Sequence, residues 1–212
     1  MLTSAEIEAA LLIGHERRDF EIKGPGRSDD REFLANVARA VLGLGNIRDG
    51  GHVVVGIDGH RQSEMLPGLG ADELATWLAF DELSRQLAAY SDPPVQFEVA
   101  GVTLSSTATV AVIEVHEFAD VPHLCAREYQ APGARRKILH KGALYVRPRK
   151  VPETSEVASS VEMREILDLA TQKALRAYVA TAERAEVKLT AEIATAETDD
   201  DKYDAERAAA WQ

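Results

Sequence analysis

The sequence predicts an α+β protein, with a mixed β-sheet and packed helices in one domain and a long helical extension after it. The chain has 212 residues, 45% hydrophobic and 28% charged, which is ordinary globular usage. That length suits one domain of about 150 residues plus an extension. Strand and helix patterns follow one another without strict alternation, as in α+β folds. We place the domain at residues 1–154 and a C-terminal helix with an acidic tail at 155–212.

The first half of the chain predicts two helices and two strands. Thr3 and Glu6 have the spacing of a capping box, which starts a helix. Residues 18–23 alternate polar and apolar, as a strand does, and a Gly-Pro-Gly sequence stops them. Residues 29–44 repeat apolar side chains at helical spacing. Residues 52–57, HVVVGI, are an apolar run typical of a central strand covered on both faces.

The second half predicts one helix, two longer strands, a charged loop, two short strands and the C-terminal helix. The helix is expected at 72–90, the two longer strands at 95–99 and 109–115, and the charged loop at 117–134. The two short strands are expected at 137–139 and 144–147, and the C-terminal helix at about 155–196. In the helix at 72–90, the periodicity turns both Trp77 and Leu78 toward the core.

The charge of the chain is unevenly distributed. The net charge is −11. Residues 1–150 hold 17 Lys/Arg and 21 Asp/Glu, a balance of −4, whereas residues 151–212 hold 7 and 14, a balance of −7. A local cationic patch can therefore oppose the global sign.

The sequence excludes an internal disulfide or four-cysteine zinc site, and it excludes a membrane-spanning helix. The single cysteine, Cys125, cannot form an internal disulfide or supply four thiolates to zinc, and it fits a reducing, cytoplasmic compartment. No run approaches the roughly 20 apolar residues of a membrane span. The acidic N-terminal segment does not have the pattern of a signal peptide. We therefore expect a soluble protein without a membrane partner.

The first candidate site is an acidic cluster formed by Glu16, Glu21 and Asp58, with Lys23 beside it. Strand geometry puts Glu21 and Lys23 on one face, and Asp58 ends the apolar strand. Carboxylates of this kind hold Mg²⁺ or Mn²⁺ through oxygen while leaving room for water and a phosphate. A lysine there can stabilise developing negative charge. The alternative interpretation is a solvated strand face, because Glu-x-Lys alone is a common sequence.

The second candidate is a basic stretch over residues 127–150, in which eight Lys/Arg face the single acid Glu128. Together with Tyr129 and Tyr145 for stacking, such a stretch suits a phosphate backbone or a single strand. Alternatively, its cations pair with the acidic C-terminal helix. The cations assigned to nucleic-acid binding are Arg127, Arg135, Arg136, Lys137, Lys141, Arg147 and Arg149.

A set of ordered motifs resembles the AlbA-like domain of Schlafen proteins and their bacterial relatives. The resemblance covers roughly residues 14–156 and rests on the order and spacing of its motifs. They are Glu16, Glu21-Ile22-Lys23, Asn46, Gly50-Gly51, Gly56-Ile57-Asp58 and Gly142-Ala143-Leu144-Tyr145-Val146-Arg147.

The resemblance implies a divalent-metal-dependent endoribonuclease that acts on tRNA, rRNA or single strands, with RNA favoured over DNA. In Schlafen nucleases three acids form the active site, and these carry over to Glu16, Glu21 and Asp58. The alternatives are a non-catalytic DNA- or RNA-binding module of the same fold, or an ATP-binding regulatory module. Animal relatives hold two such lobes in one chain, so a single lobe predicts a homodimer. Leu175, Tyr178, Ala182, Ala185 and Leu189 have the spacing of a helix–helix seam.

Overall fold

The computed structural model describes residues 1–13, 17–149, 153–157 and 159–185, and it confirms an α+β fold. The main sheet has four strands in the order β1-β2-β5-β4, with β1 parallel to β2 and the other pairs antiparallel. These strands are β1 Phe20–Lys23, β2 Gly51–Val55, β4 Phe97–Thr103 and β5 Thr109–Val115. Two small two-stranded sheets join β3 Ser91–Asp92 to β6 Leu124–Cys125, and β7 Tyr145–Val146 to β8 Ser155–Glu156.

Helices cover both faces of the main sheet. Within the described ranges they are α1 Ser4–Leu12, α2 Arg31–Gly45, a short 3-10 helix Gly59–Glu64, α3 Ala71–Leu78, α4 Phe80–Ala88 and α5 Ser160–Arg184. The side chains of β2 alternate between two cores: Val54 packs with α1, whereas Val53 and Val55 pack with α2, α3 and α4. The apolar run of the sequence is thus a central strand buried on both faces, as predicted.

Local sequence signals explain how the first helices begin. The predicted capping box is present at α1, where the Thr3 backbone N–H donates to Glu6 Oε2 at 2.8 Å. At α2 the Asp30 carboxylate accepts hydrogen bonds from the N–H groups of Glu32 and Phe33, which lack partners within the helix.

Several element predictions differ from the structure. No strand forms at the described residues 137–139, where Leu139 makes only a single bridge to Tyr129, and the loop expected at 117–134 contains strand β6. The single helix expected at 72–90 is two helices, because the chain leaves helical geometry at Ala79, and Leu78 ends α3 at 43% exposure instead of facing the core. The strand expected at 95–99 begins at Phe97 and runs to Thr103. The C-terminal helix starts at Ser160, because residues 155 and 156 pair with β7.

The first part of α5 packs on the domain. Its Ile166 and Leu169 form a small core with Phe118 and Val146. Residues Met1–Ala174 form one compact unit. No helix among the described residues is both long and apolar enough to cross a membrane.

Candidate functional site

Glu21 lies in β1 and is only 5% exposed. Its two carboxylate oxygens accept from different cations: Oε1 from Lys23 Nζ, and Oε2 from the Arg147 guanidinium. Strand alternation explains the contact with Lys23, because residues two apart share a face. The spacing in the sequence predicts Lys23 as a neighbour of Glu21 but not Arg147, which is 126 positions away.

Arg147 follows β7 and is fully buried, at 0% exposure. Besides the ion pair with Glu21, its Nε donates to the Arg18 carbonyl at 2.9 Å, and Nη2 donates to the carbonyls of Arg17 at 3.0 Å and Phe20 at 3.2 Å. A buried guanidinium with this set of acceptors is a structural bridge between β7 and β1. The prediction that Arg147 contacts phosphates at the surface is therefore wrong in this fold.

A polar cavity of about 200 Å³ adjoins Glu21 on the α2 side of the sheet. Lys23, Asn36, Arg39 and Glu153 are among the residues that line it. Arg39 Nη2 donates to the Thr154 carbonyl at 2.6 Å, and its guanidinium lies 5.7 Å from the centre of the Tyr145 ring. Cations therefore dominate the immediate surroundings of the Glu21 carboxylate.

The other members of the predicted acidic cluster lie elsewhere or outside the described residues. Asp58 follows β2 and caps the 3-10 helix, where its carboxylate accepts from the His60 N–H at 2.9 Å. It is not among the described residues that line the cavity at Glu21. Glu16 lies outside the described residues. Within the described ranges no group of three His, Cys, Asp or Glu could hold a metal ion. The Mg²⁺ or Mn²⁺ site therefore stays a prediction.

Residues 127–141 form a segment that we name the basic loop. Two bridges at its base, Tyr129 with Leu139 and Leu124 with Leu144, fold it back on itself. Its five cations are all exposed: Arg127, Arg135, Arg136, Lys137 and Lys141. The basic loop contains one acid, Glu128, so its net charge is +4.

One of these cations is neutralised locally. Lys137 Nζ lies 2.5 Å from Glu128, and this hydrogen bond lowers the pKa of the Glu128 carboxyl. No described residue forms an ion pair with the side chains of Arg127, Arg135, Arg136 or Lys141. Arg149 is exposed but pairs with Glu165 of α5 at 2.6 Å, which is the alternative arrangement that the sequence left open.

The tyrosines of the basic stretch differ in their access to solvent. Tyr145 is 1% exposed, and its hydroxyl accepts from the His140 N–H at 2.9 Å, so it cannot stack on a base as the sequence analysis predicted. Tyr129 is half-buried and lines a surface cleft.

Burial raises the pKa of the Cys125 thiol, which leaves it a poor nucleophile.

Asn46, which is 1% exposed, holds the ends of the segment that carries the basic loop. Its Nδ2 donates to the carbonyls of His123 at 2.8 Å and Tyr145 at 2.9 Å, and its Oδ1 accepts from the His123 N–H at 2.8 Å. No sequence pattern indicates this role for Asn46. In the structure it fastens both ends of residues 123–145 to the end of α2.

Comparisons with known proteins identify no family for the chain. No family model matches it, and no curated protein sequence matches it. The crystal structure of the DIP2311 protein from Corynebacterium diphtheriae aligns with a TM-score of 0.46 and 16% identity. The alignment covers 76% of this chain and 27% of the other, so this chain spans about a quarter of that protein.

Proposed function

We propose that this protein is a nucleic-acid-binding module that contacts phosphates through the basic loop. The observation that carries the proposal is the group of four exposed cations, Arg127, Arg135, Arg136 and Lys141, without ion-pair partners among the described residues of a chain with net charge −11. A cationic loop on an acidic protein attracts a polyanion locally while the rest of the surface repels it. Single-stranded RNA is the proposed ligand. The preference for RNA over DNA rests on the Schlafen resemblance.

Binding without cleavage is the favoured form of this proposal because of the surroundings of Glu21. A metal-dependent nuclease needs carboxylate oxygens free to bind the ion. Here each Glu21 oxygen already accepts from a cation, and a metal would have to displace Lys23 and the buried Arg147. The nuclease hypothesis stays a prediction. Incubation of labelled tRNA and single-stranded DNA with Mn²⁺ tests it, with EDTA as the control. Mn²⁺-dependent cleavage that Glu21→Gln abolishes would establish the nuclease instead.

The binding proposal is tested by salt dependence. Four phosphate contacts on a single strand predict a slope of log K against log salt of about −3, from roughly −0.7 per contact. Replacing Arg135, Arg136 and Lys141 by alanine should reduce the magnitude of that slope by about 2 and weaken binding to all sequences alike. Fluorescence anisotropy of a labelled oligonucleotide at several salt concentrations measures both.

A control variant separates the basic loop from net charge. Replacing Arg48, Arg61 and Arg164 by alanine removes the same three charges from exposed positions outside the basic loop. This variant should keep the wild-type salt slope. An equal loss of slope in the two triple variants would show that only total charge matters, and would refute the assignment of the basic loop.

We also propose that the protein is a homodimer that acts in the cytoplasm. Leu175 and Tyr178, two residues of the predicted seam on α5, are 60% and 62% exposed. Ala182 is 8% exposed, and Leu189 lies outside the described residues. Large apolar side chains exposed three positions apart on a helix support pairing with a second copy. The buried, unpaired thiol of Cys125 supports a reducing compartment.

A further inference from the structure

A second cleft, separate from the cavity at Glu21, lies between the start of α2, helix α4 and the basic loop. Its volume is about 430 Å³, within the roughly 300–1,000 Å³ of small-molecule sites. Three arginines and two tyrosines are among its lining residues, namely Arg31, Arg85, Arg127, Tyr90 and Tyr129. These residues come from three separate parts of the sequence, so no sequence motif predicts the cleft.

The cleft is cationic. The side chains of Arg31 and Arg127 are exposed, and neither has an ion-pair or hydrogen-bond partner among the described residues. Arg85 pairs with Glu82 on the same helix. The one acid in the lining, Asp29, is held by Arg27, whose guanidinium hydrogen bond lowers the pKa of the Asp29 carboxyl. Two guanidinium groups thus remain to bind an anion.

Aromatic side chains and a residue with an unsatisfied acceptor also line the cleft. Tyr90 is 7% exposed, and burial raises the pKa of its hydroxyl against the opposing effect of nearby Arg127 and Arg31. Gln86 Nε2 donates to Glu82 at 2.8 Å, but the buried Gln86 Oε1 has no hydrogen-bond partner among the described residues. An unsatisfied buried acceptor is costly, and an N–H group of a ligand would satisfy it.

We propose that this cleft binds a terminal nucleotide, with the terminal phosphate on Arg31 and Arg127 and the base beside Tyr129 and Gln86. A terminal phosphate carries about −1.5 to −2 charge at neutral pH, against −1 for a phosphate within a strand, so a pair of guanidinium groups favours the end. Arginine presents paired donors that match phosphate oxygens, and tyrosine stacks on any base. The ligand is then the phosphorylated end of a single strand. This inference rests on the proposed nucleic-acid function, because the cleft shares Arg127 with the basic loop.

The test compares short oligonucleotides of one sequence that carry a phosphate or a hydroxyl at the 5′ end or the 3′ end. For the wild type, we expect a phosphate at one of the ends to tighten binding by about tenfold. The double variant Arg31→Gln, Arg127→Gln should lower that ratio to about twofold or less, and Tyr129→Leu should weaken binding of both forms. Both arginine side chains are exposed, and thermal melting checks that the variants fold.

The control is the pair Arg135→Gln, Arg136→Gln in the basic loop. It should weaken binding of phosphate and hydroxyl ends equally and leave their ratio unchanged. A wild-type ratio near one, with the strands still bound, would overturn the cleft assignment and leave the proposed function intact. Adenosine monophosphate is the third probe. If it binds in an Arg31-dependent way while no strand binds, the site serves a free nucleotide, and the proposed function is overturned.

Discussion

Replacing Glu21 by glutamine distinguishes a structural ion pair from a metal site of clustered carboxylates. The two interpretations predict changes of opposite sign in the free energy of unfolding. Glutamine keeps the size of the side chain and one acceptor but removes the charge. Arg147 then stays at 0% exposure without the ion pair to Glu21. Breaking one partner of a buried ion pair costs about 3–5 kcal/mol, because the remaining charge is left uncompensated. A metal site of clustered carboxylates predicts the reverse without metal, since loss of one charge relieves repulsion.

The expected loss is at the lower end of that range, about 3 kcal/mol, because three backbone carbonyls still accept from Arg147. For a chain of this size 1 kcal/mol corresponds to roughly 2–4 °C, so the melting temperature should fall by about 6–12 °C. Urea unfolding followed by circular dichroism, with EDTA present, measures the free energy of unfolding.

The matched control is Glu153→Gln, which lies on the same cavity but has no ion-pair partner among the described residues. It should change stability by less than about 0.5 kcal/mol. The double variant Glu21→Gln, Arg147→Met should recover part of the loss, because it removes the buried charge of Arg147 as well. If Glu21→Gln is as stable as the wild type or more stable, the ion-pair interpretation is refuted.

Two further predictions concern α5. Burial alone would raise the pKa of Glu165, but hydrogen bonds and charges of Arg18 and Arg149 lower it from the ordinary 4.5. A lowered folded-state pKa stabilises the protein above about pH 4.5, and that contribution is lost as the pH falls through the folded value. Glu165→Gln should therefore flatten the acid side of the stability profile, whereas Glu183→Gln should not. For the homodimer, light scattering at tens of micromolar should give twice the chain mass, and Leu175→Glu should give the monomer. A monomeric wild type would exclude the dimer.

Strong periodicity was sufficient to predict the central elements of the fold. The run over residues 52–57 predicts a strand covered on both faces because β-branched side chains alternate toward two cores, as Val53 and Val54 do. The periodicity of residues 29–44 similarly predicts α2, whose apolar stripe forms one of those cores. The break between α3 and α4 was not predictable, because Ala79 favours helix. Its neighbour Phe80 lies 5.4 Å, ring centre to ring centre, from Phe97 of the sheet.

The candidate site was predictable only where its residues are neighbours in sequence. Glu21 and Lys23 meet because of strand alternation, which spacing alone reveals. The contact between Glu21 and Arg147 depends on how β7 reaches the sheet, and composition placed Arg147 among surface cations. One signal was present: Arg147 directly follows Leu144-Tyr145-Val146, an apolar run that predicts burial. The second cleft combines residues from α2, α4 and the basic loop, and such a combination has no sequence pattern.

The buried ion pair and the proposed binding surface are parts of one arrangement. Arg147 fastens the chain just after β7 to β1, and Asn46 fastens His123 and Tyr145 to the end of α2. The basic loop lies between these anchor points, so its base is fixed before any ligand arrives. Fixing a loop in advance reduces the entropy lost on binding, and the cations then contribute more of their attraction to affinity. If the proposed binding surface is correct, the charge of Arg147 serves binding indirectly, because it helps to position the arginines and lysine that we propose as the phosphate contacts.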